Sequence, residues 1–353
     1  MERIFIIGGG LSGLLTAYLL EKEGWAPHLL EARNRLGGRI YTLRSKPDNE
    51  PPIEMGATWL GKKHHYLIDT LKELDIAICE QYMGEKAFYE PMSVSPPQLV
   101  DLPPNEEPSY RIEGGTDQII CALADRLEQT HIHCNHAVRN VCKSENALEI
   151  ESQSELFKAD AVISTLPPKL LVDRITFSPA LPNKLIDIAA KTDTWMAESI
   201  KVALTFEAPF WREPNSSGTI FSNVGPVTEL YDHSYARRYA LKGFMNEAYQ
   251  AVSRKRREQL VIEQLRRFYG NKADNYSSYM ELVWATEPHT YCDYGETITP
   301  HQHNGHKIFQ SSIFDGRFIL AGSETATAFP GYMDGAVESA HRAVKQLKQR
   351  IRH

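Results

Sequence analysis

The pattern of apolar and polar positions at the start of the chain predicts two strands and a helix around a glycine-rich turn. The apolar run from Arg3 to Ile7 predicts a strand, residues 8–13 are GGGLSG, and the apolar stretch from Leu14 to Glu23 predicts a helix. A second apolar run, 28–31 (HLLE), predicts the next strand. This order of strand, glycine turn and helix is the context in which a G-x-G-x-x-G motif binds a dinucleotide.

The middle of the chain predicts a mixture of loop, helix and sheet. Residues 79–109 contain six prolines and little periodicity, which predicts mostly loop. The alternating stretches 131–141 and 147–152 predict a small hairpin, and 161–164 (AVIS) predicts a core strand. Between these regions, apolar residues recur three or four positions apart and predict a helix, at Ile119, Ile120, Leu123, Ala124 and Leu127.

The second half of the chain predicts an inserted unit followed by a return to the first one. Between 179 and 291, helical patterns alternate with β-rich runs such as 200–206 (IKVALTF) and 280–284. Residues 317–321 predict a last core strand. A closing helix begins near Tyr332-Met333, and its predicted buried stripe consists of Ala336, Val337, Ala340, Ala343, Val344 and Leu347.

These elements predict an α/β protein with two domains. We expect a discontinuous dinucleotide-binding domain of residues 1–78, 110–178 and 292–353. The remaining segments, 79–109 and 179–291, are expected to form an inserted α+β substrate-binding domain.

Composition narrows the class of protein. The chain has 353 residues, 42% of them apolar, and a formal net charge of −6, which gives no indication of binding to nucleic acid or to an anionic membrane. No apolar run reaches 18 residues, and the N-terminal apolar run is too short for a signal peptide. Five cysteines without C-x-x-C spacing are typical of a reducing compartment, so we expect a cytoplasmic protein.

Each residue of the N-terminal motif has an expected role in holding a nucleotide. Gly8 makes the tight turn, Gly10 lets the backbone approach a pyrophosphate, and Gly13 lets helix and strand pack closely. The N–H groups of Leu11 and Ser12, at the helix N-terminus, favour phosphate. Glu31 follows Gly13 by 18 positions, close to the expected spacing for a carboxylate that binds ribose hydroxyls, and it disfavours NADP.

Past Glu31 the sequence continues as ARNRLGGR, an extension for which an ordinary NAD-binding fold has no obvious use. Two further glycines and the guanidinium of Arg39 suit a second contact with a pyrophosphate, since arginine binds phosphates through two parallel hydrogen bonds. The sequence contains no second G-x-G-x-x-G that would carry a nicotinamide nucleotide.

Four segments in this order resemble the flavin-dependent monoamine oxidase family, which includes polyamine oxidases and L-amino-acid oxidases. The segments are GGGLSGL, LEARNRLGGR, GATWLG and AGSETATAFPGYMDGAVESAHRAV, and they extend from the first strand to the last helix. The resemblance implies a Rossmann-like FAD-binding domain of the glutathione-reductase type. It also implies FAD contacts from further residues, namely Ala32, Arg33, Gly38, Gly56, Ala57, Thr58, Trp59, Val138, Trp284, Gly322, Glu324, Tyr332, Met333 and Ala336.

The resemblance also implies catalytic roles for three residues. IKVALTFEAPFW is similar to the family segment whose lysine holds a water against flavin N5, which assigns that role to Lys201; from the pattern alone, Lys201 is also consistent with the outward face of a strand. Tyr294 and Tyr332 match the two aromatic residues that form the family's cage in front of the flavin. Aromatic faces attract an amine and exclude water.

The resemblance implies that FAD accepts a hydride from the carbon beside an amine. The resulting imine is then hydrolysed, and dioxygen reoxidises the flavin and yields hydrogen peroxide. A small-molecule amine and dioxygen are the expected partners, and a homodimer is one possible assembly. Residues 79–109 are far shorter than the corresponding segment of better-known amine oxidases, so part of the substrate chamber is either missing or supplied by a partner.

Two groups of residues suggest other chemistry. Some family members attach their flavin through a cysteine immediately before the first cage tyrosine, but here that position is Asp293, and Cys292 lies one residue earlier. A shift of one position in extended chain turns the side chain to the opposite face, so we expect non-covalent FAD. The histidine-rich segments 131–136 and 301–306 have metal-ligand spacing, but we interpret them as solvated histidines and expect no metal.

Two alternative functions stay open at this stage. One is a related flavoenzyme that acts on a larger apolar substrate, as porphyrinogen oxidases and carotenoid desaturases do; such an enzyme is not expected to need Lys201 or two cage tyrosines. The other is a FAD-binding protein that has lost its oxidase activity and serves in a complex, which the short segment 79–109 would permit.

Overall fold

The computed structural model describes residues 2–45, 50–196, 198–213 and 216–351. Its α-helices are α1 (Leu11–Lys22), α2 (His65–Glu73), α3 (Asp117–Ala124), α4 (Pro168–Arg174), α5 (Asn183–Ala190), α6 (Arg254–Tyr269) and α7 (Met333–Ile351). Its first strands are β1 (Ile4–Ile7), β2 (His28–Leu30), β3 (Thr42–Leu43), β4 (Ile53–Glu54), β5 (Trp59–Leu60), β6 (Ile78–Glu80), β7 (Lys86–Glu90), β8 (Gln98–Asp101), β9 (Tyr110–Ile112), β10 (His131–His133) and β11 (Val138–Lys143). The later strands are β12 (Leu148–Ser152), β13 (Leu156–Ala159), β14 (Ala161–Ser164), β15 (Thr176–Ser178), β16 (Ile200–Phe206), β17 (Ser216–Ser222), β18 (Val227–Asp232), β19 (Tyr239–Met245), β20 (Tyr276–Val283) and β21 (Phe318–Leu320).

A five-stranded parallel sheet in the order β10-β2-β1-β14-β21 forms the centre of the first domain. The four residues of β1, IFII, are all buried, as expected of a parallel strand that is covered on both faces. Helices α1, α2, α3 and α7 contribute to the core on one face. The sheet β13-β12-β11-β15, with α4 and α5, contributes to the core on the other. The predicted α/β fold class is therefore confirmed.

The helix α1 packs tightly against the end of β1. A Cβ atom added to Gly13 would lie 1.9 Å from the carbonyl oxygen of Gly8, so only glycine fits there. Gly8 has a φ of 106°, a conformation that glycine adopts at little cost. The predicted roles of these two glycines in the turn and in close packing agree with this geometry.

A seven-stranded sheet in the order β20-β16-β19-β18-β17-β7-β8 dominates the inserted part of the chain. One face packs on α6, where Val261 and Leu265 share a core with Ile200, Val202 and Leu204. The alternate residues of β16 contribute to the opposite side, where Ala203 packs with Ile53 and Met55 of the first domain. Both faces of β16 are thus buried, and its charged residue Lys201 is buried with them.

Of two predictions for the middle of the chain, one was incomplete and the other was wrong in part. Residues 79–109 are mostly loop, as predicted, but they also contain β7 and β8, which form one edge of the seven-stranded sheet. The prolines lie between and after these strands, so they mark the turns rather than the whole segment. Residues 131–133 do not belong to the hairpin. They form the edge strand β10, which pairs with β2 in parallel, so within 131–141 only β11 pairs with β12.

Candidate active site

A cavity of about 650 Å³ opens along the C-terminal ends of β1, β2 and β14. Ligands of open α/β sheets bind at this edge. Most of the residues predicted to bind FAD line this cavity. They are Gly8, Gly10, Leu11, Ser12, Glu31, Ala32, Arg33, Gly38, Arg39, Ala57, Val138, Gly322, Tyr332, Met333 and Ala336. Residues from three distant parts of the sequence therefore meet around one groove.

Glu31 is held at one end of this groove by backbone groups. Its side chain accepts a 2.7 Å hydrogen bond from the N–H of Gly9 and a 2.8 Å hydrogen bond from the N–H of Arg33. Only 3% of the residue is exposed, so the carboxylate has a fixed direction. A carboxylate oxygen accepts more than one hydrogen bond, which leaves capacity for ribose hydroxyls.

Arg33 connects this end of the groove to a distant segment. Its guanidinium donates a 2.6 Å hydrogen bond to Oγ1 of Thr290 and forms a 3.2 Å ion pair with Glu287. Pro288, His289 and Thr290 line the same cavity, so this contact fixes the segment as part of its wall.

Arg39 and Glu324 form a bidentate ion pair beside the groove. The two guanidinium nitrogens of Arg39 donate to the two carboxylate oxygens of Glu324 at 2.6 and 2.9 Å, and they also donate to Ser323 Oγ and to the carbonyl oxygen of Trp195. Burial opposes ionisation of Glu324, but the charge of Arg39 outweighs it and lowers the pKa of Glu324 below its usual value. The expected phosphate contact of Arg39 stays a prediction, because the structure shows the guanidinium bound to protein groups.

Lys201 lies on the β16 face that packs against the first domain. The residue is 1% exposed, and its ammonium donates a hydrogen bond to the carbonyl oxygen of Gly56. The ring of Phe244 lies 4.9 Å from Nζ. Burial lowers the pKa of Lys201 to about 8, even though the charge of Glu54 acts in the opposite direction. The structure therefore places the predicted lysine against the predicted flavin-binding segment 56–59.

A second buried lysine, Lys242, lies beside Lys201 on the neighbouring strand β19. Lys242 is also 1% exposed and donates to Oγ1 of Thr58, and its Nζ lies 4.7 Å from the ring of Trp59. The sequence analysis missed this residue. The available signal was the same as for Lys201, a lysine inside an apolar strand (YALKGF), but it had no motif to support it.

The two predicted cage tyrosines do not pair with each other in the described structure. The Tyr332 ring is 39% exposed at the cavity wall and stacks with Trp195 and His301 at 6.0 Å each. Tyr294 donates a 2.8 Å hydrogen bond to the carbonyl oxygen of Thr192. Trp195, which the sequence analysis also missed, thus takes the position opposite Tyr332.

Six of the residues predicted to bind FAD are not among those that line the cavity, namely Gly13, Gly56, Thr58, Trp59, Trp284 and Glu324. Trp284 is fully buried and donates a 2.7 Å hydrogen bond from its indole N–H to the carbonyl oxygen of Met55. Cys292 is 7% exposed, and burial raises the pKa of its thiol. Within the described residues, no three His, Cys, Asp or Glu side chains are arranged to hold a metal ion. Across the same residues, no helix combines the length and apolar character needed to cross a membrane.

Comparison with known proteins identifies the family. The family model described as flavin containing amine oxidoreductase matches residues 11–89 and 79–348. A probable flavin-containing monoamine oxidase A from Dictyostelium discoideum is 23% identical, over 99% of this chain and 98% of its own length. Flavin-containing amine oxidase B from Sus scrofa is also 23% identical, over 98% of this chain and 85% of its own length.

Solved structures show the same fold. A putrescine oxidase bound to putrescine superimposes with a TM-score of 0.84 at 21% identity, covering 99% of both chains. A cyclohexylamine oxidase from Brevibacterium oxydans superimposes with a TM-score of 0.85 at 17% identity, covering all of both chains. The chain therefore belongs to the family of flavin-containing amine oxidoreductases, and it is an FAD-dependent enzyme that acts on amines.

The residues of the groove fit FAD. The volume of about 650 Å³ is in the range of ligand pockets. A Cβ added to Gly10 would meet nothing closer than the Gly37 carbonyl oxygen at 3.8 Å, so the missing side chain leaves free space at the N-terminus of α1. The N–H groups of the first turn of α1 have no partner within the helix and can bind phosphate. Gly10 and Glu31 would hold the ADP half, and Tyr332, Met333 and Ala336 would hold the flavin half.

Proposed function

We propose that this enzyme oxidises a small amine to an imine, which water then hydrolyses to a carbonyl compound and ammonia or a smaller amine. The chemistry that FAD supplies when bound is the uptake of a hydride from the carbon beside the nitrogen and the later transfer of two electrons to dioxygen. For a primary amine, one amine, one dioxygen and one water give one carbonyl compound, one ammonia and one hydrogen peroxide. The observation that carries this proposal is the buried Lys201 on the carbonyl oxygen of Gly56.

Lys201 supplies a fixed positive charge in a dry environment. A single charge on a buried ammonium is more effective than the same charge in water, because neither solvent nor salt screens it. Such a charge stabilises negative charge that develops nearby during the reduction of dioxygen. The site as proposed therefore needs Lys201 in its protonated form.

The aromatic side chains at the open end of the groove would receive the amine. Tyr332 and Trp195 line the cavity there and stack with the neighbouring ring of His301, and aromatic faces attract a cationic amine. They also limit the access of water, which favours the neutral amine that reacts. Tyr294 would support this wall from behind through its hydrogen bonds to Thr192 and Thr194.

We propose that the substrate chamber at the Tyr332 end of the groove is smaller than that of longer relatives. The alignment with the Dictyostelium relative spans 455 positions for a chain of 353 residues, so that relative contains segments that this chain lacks. Two of the similar structures are oxidases of a linear diamine and of a cyclic monoamine, which argues for a panel that includes both types. We also propose that FAD is held without a covalent bond, because Cys292 is buried outside the groove lining.

The test is an anaerobic titration of the purified holoenzyme with single amines, followed by the visible absorption of the flavin. The panel contains simple monoamines, a cyclic monoamine, diamines, polyamines and L-amino acids. We expect one class to bleach the flavin, and we expect air to restore the colour with formation of hydrogen peroxide. A flavin that no amine bleaches, but that dithionite reduces normally, would contradict the proposal and favour a larger apolar substrate or a non-catalytic role.

A further inference from the structure

Three side chains lie in one row across the seven-stranded sheet, on the face that packs against the first domain. Lys201 on β16 is paired with Phe244 on β19, and Phe244 is in turn paired with Glu229 on β18. Residues that pair directly across neighbouring strands have their side chains on the same face of a sheet. The 4.9 Å distance between Lys201 Nζ and the Phe244 ring agrees with this arrangement. The row therefore leads from Lys201 to the carboxylate of Glu229.

The length of this row fits a small linear molecule. Neighbouring strands lie about 4.8 Å apart, so two strand spacings separate the Cα atoms of Lys201 and Glu229 by about 10 Å. A short alkyl chain with a nitrogen atom at each end spans a distance of this order. When one nitrogen lies at the flavin, beside Lys201, the other therefore extends towards Glu229.

Aromatic rings cover the sheet around Glu229. The ring of Trp59 lies 5.1 Å from that of Tyr231 and 6.1 Å from that of Phe244. Phe221, which is paired with Glu229, lies 6.1 Å from Tyr231. These contacts place the four rings on the same face of the sheet as Glu229. Such rings can pack against an alkyl chain, and their faces attract an ammonium group.

The carboxylate of Glu229 has a fixed position but no counter-charge. The residue is half-buried, and its Oε2 accepts a 2.8 Å hydrogen bond from the hydroxyl of Tyr231. Burial and the charge of Glu229 raise the pKa of Tyr231, so this hydroxyl stays protonated and donates. In the described ranges of the chain, no lysine, arginine or histidine side chain forms an ion pair with Glu229.

A cavity beside this carboxylate leaves room for a cation. Its volume is about 360 Å³, and Glu229, Phe221, Asn223 and Asn246 are among its lining residues. A carboxylate that is partly removed from water is costly unless a charge of opposite sign accompanies it. An ammonium group of a ligand would supply that charge.

We propose that the substrate is a linear diamine and that Glu229 is the specificity-determining residue, which binds the ammonium group remote from the flavin. The oxidation of the other end rests on the function proposed above, whereas the ammonium site at Glu229 does not. The reacting nitrogen is neutral, and the second nitrogen stays protonated and pairs with the carboxylate. One diamine, one dioxygen and one water then give one amino aldehyde, one ammonia and one hydrogen peroxide, and the hydride leaves the carbon beside the reacting nitrogen.

The first test measures binding without turnover. The holoenzyme is reduced with dithionite and freed of excess reductant under anaerobic conditions, because a reduced flavin cannot accept a hydride. It is then titrated by calorimetry with cadaverine and with hexylamine, in which a methyl group replaces the second ammonium. We expect the wild type to bind cadaverine about 10- to 100-fold more tightly than hexylamine, as a hydrogen bond to a charged group implies. In Glu229→Gln this preference should largely disappear.

The second test follows the reduction of the flavin by the same two amines in anaerobic stopped-flow experiments. In Glu229→Gln we expect the Kd of cadaverine to rise by the factor found in calorimetry, while the limiting rate of flavin reduction and the reaction with hexylamine stay unchanged. Glu247→Gln removes an exposed carboxylate that follows β19, and it should behave as the wild type. A Glu229→Gln protein that keeps the full preference for cadaverine overturns the proposal.

Tyr231 is a positioning residue in this proposal, because its hydroxyl holds the carboxylate of Glu229. Tyr231→Phe keeps the ring and removes the hydroxyl, so we expect cadaverine to bind about 3- to 10-fold more weakly, with the limiting rate and hexylamine binding unchanged. This variant also carries the test if Glu229→Gln does not fold. An equal loss for cadaverine and hexylamine in Tyr231→Phe would show a general packing defect and contradict the assignment.

The outcomes separate this inference from the function on which it partly rests. Equal affinities of the wild type for cadaverine and hexylamine would overturn the diamine site, although both amines could still bleach the flavin. Binding of cadaverine that depends on Glu229, in an enzyme whose flavin no amine bleaches, would support the ammonium site and overturn the proposed oxidation.

Discussion

The side chain of Lys201 is buried, and burial makes its positive charge costly. This cost lowers the pKa of Lys201, so its charge depends on the pH. The lysine is 1% exposed in a strand that is buried along its whole length. Burial lowers its pKa to about 8, so the ammonium exists below that pH and the neutral amine above it. A function that needs the ammonium is therefore lost as the pH rises through this value.

We predict that the rate of flavin reoxidation in the wild type decreases above a midpoint near pH 8. Lys201→Met should remove this pH dependence and slow reoxidation on the order of 100-fold at neutral pH, the effect of losing one preorganised charge. Stopped-flow mixing of the reduced holoenzyme with dioxygen measures both. Lys63→Met, at an exposed lysine paired with Glu107, is the control and should behave as the wild type. A wild-type rate that is flat from about pH 6 to about pH 10 would contradict the assignment.

The ion pair of Arg39 and Glu324 is the second residue-level feature that can be tested. The Glu324 side chain is fully buried and that of Arg39 is 21% exposed. We predict that Glu324→Gln lowers the free energy of unfolding at neutral pH by about 3 kcal/mol, because it leaves a largely buried guanidinium without its counter-charge. Urea unfolding measures this difference. The exposed pair of Lys63 and Glu107 is the matched control, and Glu107→Gln should change stability by less than about 0.5 kcal/mol.

The difference in the free energy of unfolding between the wild type and Glu324→Gln depends on pH with a definite sign. Arg39 lowers the pKa of Glu324 below the ordinary value of 4.5, despite burial. The folded protein therefore binds the Glu324 proton less tightly than the unfolded chain does, and the stabilisation is complete above about 4.5 and lost as the pH falls through the folded-state value. The stability difference between wild type and Glu324→Gln should shrink in acid, and a difference that grows there would contradict this account.

At the scale of elements, the sequence was most informative where one local pattern determines one structure. The predicted strand 161–164 and the predicted start of the last helix agree with β14 and α7. The prediction of mostly loop for 79–109 did not include β7 and β8. The strand β7 pairs with β17, more than 100 residues away, and β8 pairs with β7, and nothing in the local pattern indicates the distant partner. The same applies to β10, which was expected to form a hairpin with 147–152 and instead pairs with β2.

Substitutions at two glycines near the start of α1 are expected to have different effects, one on folding and the other on cofactor binding. Gly13→Ala would place a Cβ 1.9 Å from the Gly8 carbonyl oxygen, so we predict loss of the folded protein. Gly10 has an ordinary φ of −78° and free space around a Cβ, so Gly10→Ala should fold but bind FAD at least about tenfold more weakly. Circular dichroism and flavin content per chain distinguish the two effects.

The control for both variants is Gly61→Ala. A Cβ at Gly61 would meet no heavy atom within 4 Å, so the variant should match the wild type in circular dichroism and flavin content. A Gly10→Ala protein with full flavin content would show that the pyrophosphate does not approach this turn.

At the scale of the whole molecule, the candidate site depends on contacts that no single segment predicts. The motifs located much of the groove, because 15 of the 21 residues predicted to bind FAD line one cavity. Lys242 and Trp195 were missed because their importance arises from what they meet in three dimensions, namely Thr58 and Tyr332. A strand pairing and a loop conformation bring them there, and neither has a local signature.

Because three distant parts of the chain line the groove, FAD should hold the whole molecule together. The lining extends from 7 to 57, from 136 to 196 and from 288 to 336. A ligand that binds only the folded state stabilises it by about 2.7 kcal/mol at a free concentration 100 times its Kd. We predict that adding FAD to the apoprotein raises the melting temperature by several degrees, measured by differential scanning calorimetry.

Two comparisons test whether the rise in melting temperature depends on FAD contacts along the whole groove. ADP contacts only the end with Gly10 and Glu31, so at the same multiple of its own Kd it should stabilise equally, but at equal concentration it should raise the melting temperature less than FAD does. At the same FAD concentration, Gly10→Ala should show a smaller rise in melting temperature than the wild type does. Equal rises for FAD and ADP at equal, subsaturating concentration would mean that the end with Tyr332 and Met333 adds no affinity, and the flavin half would then have to bind elsewhere.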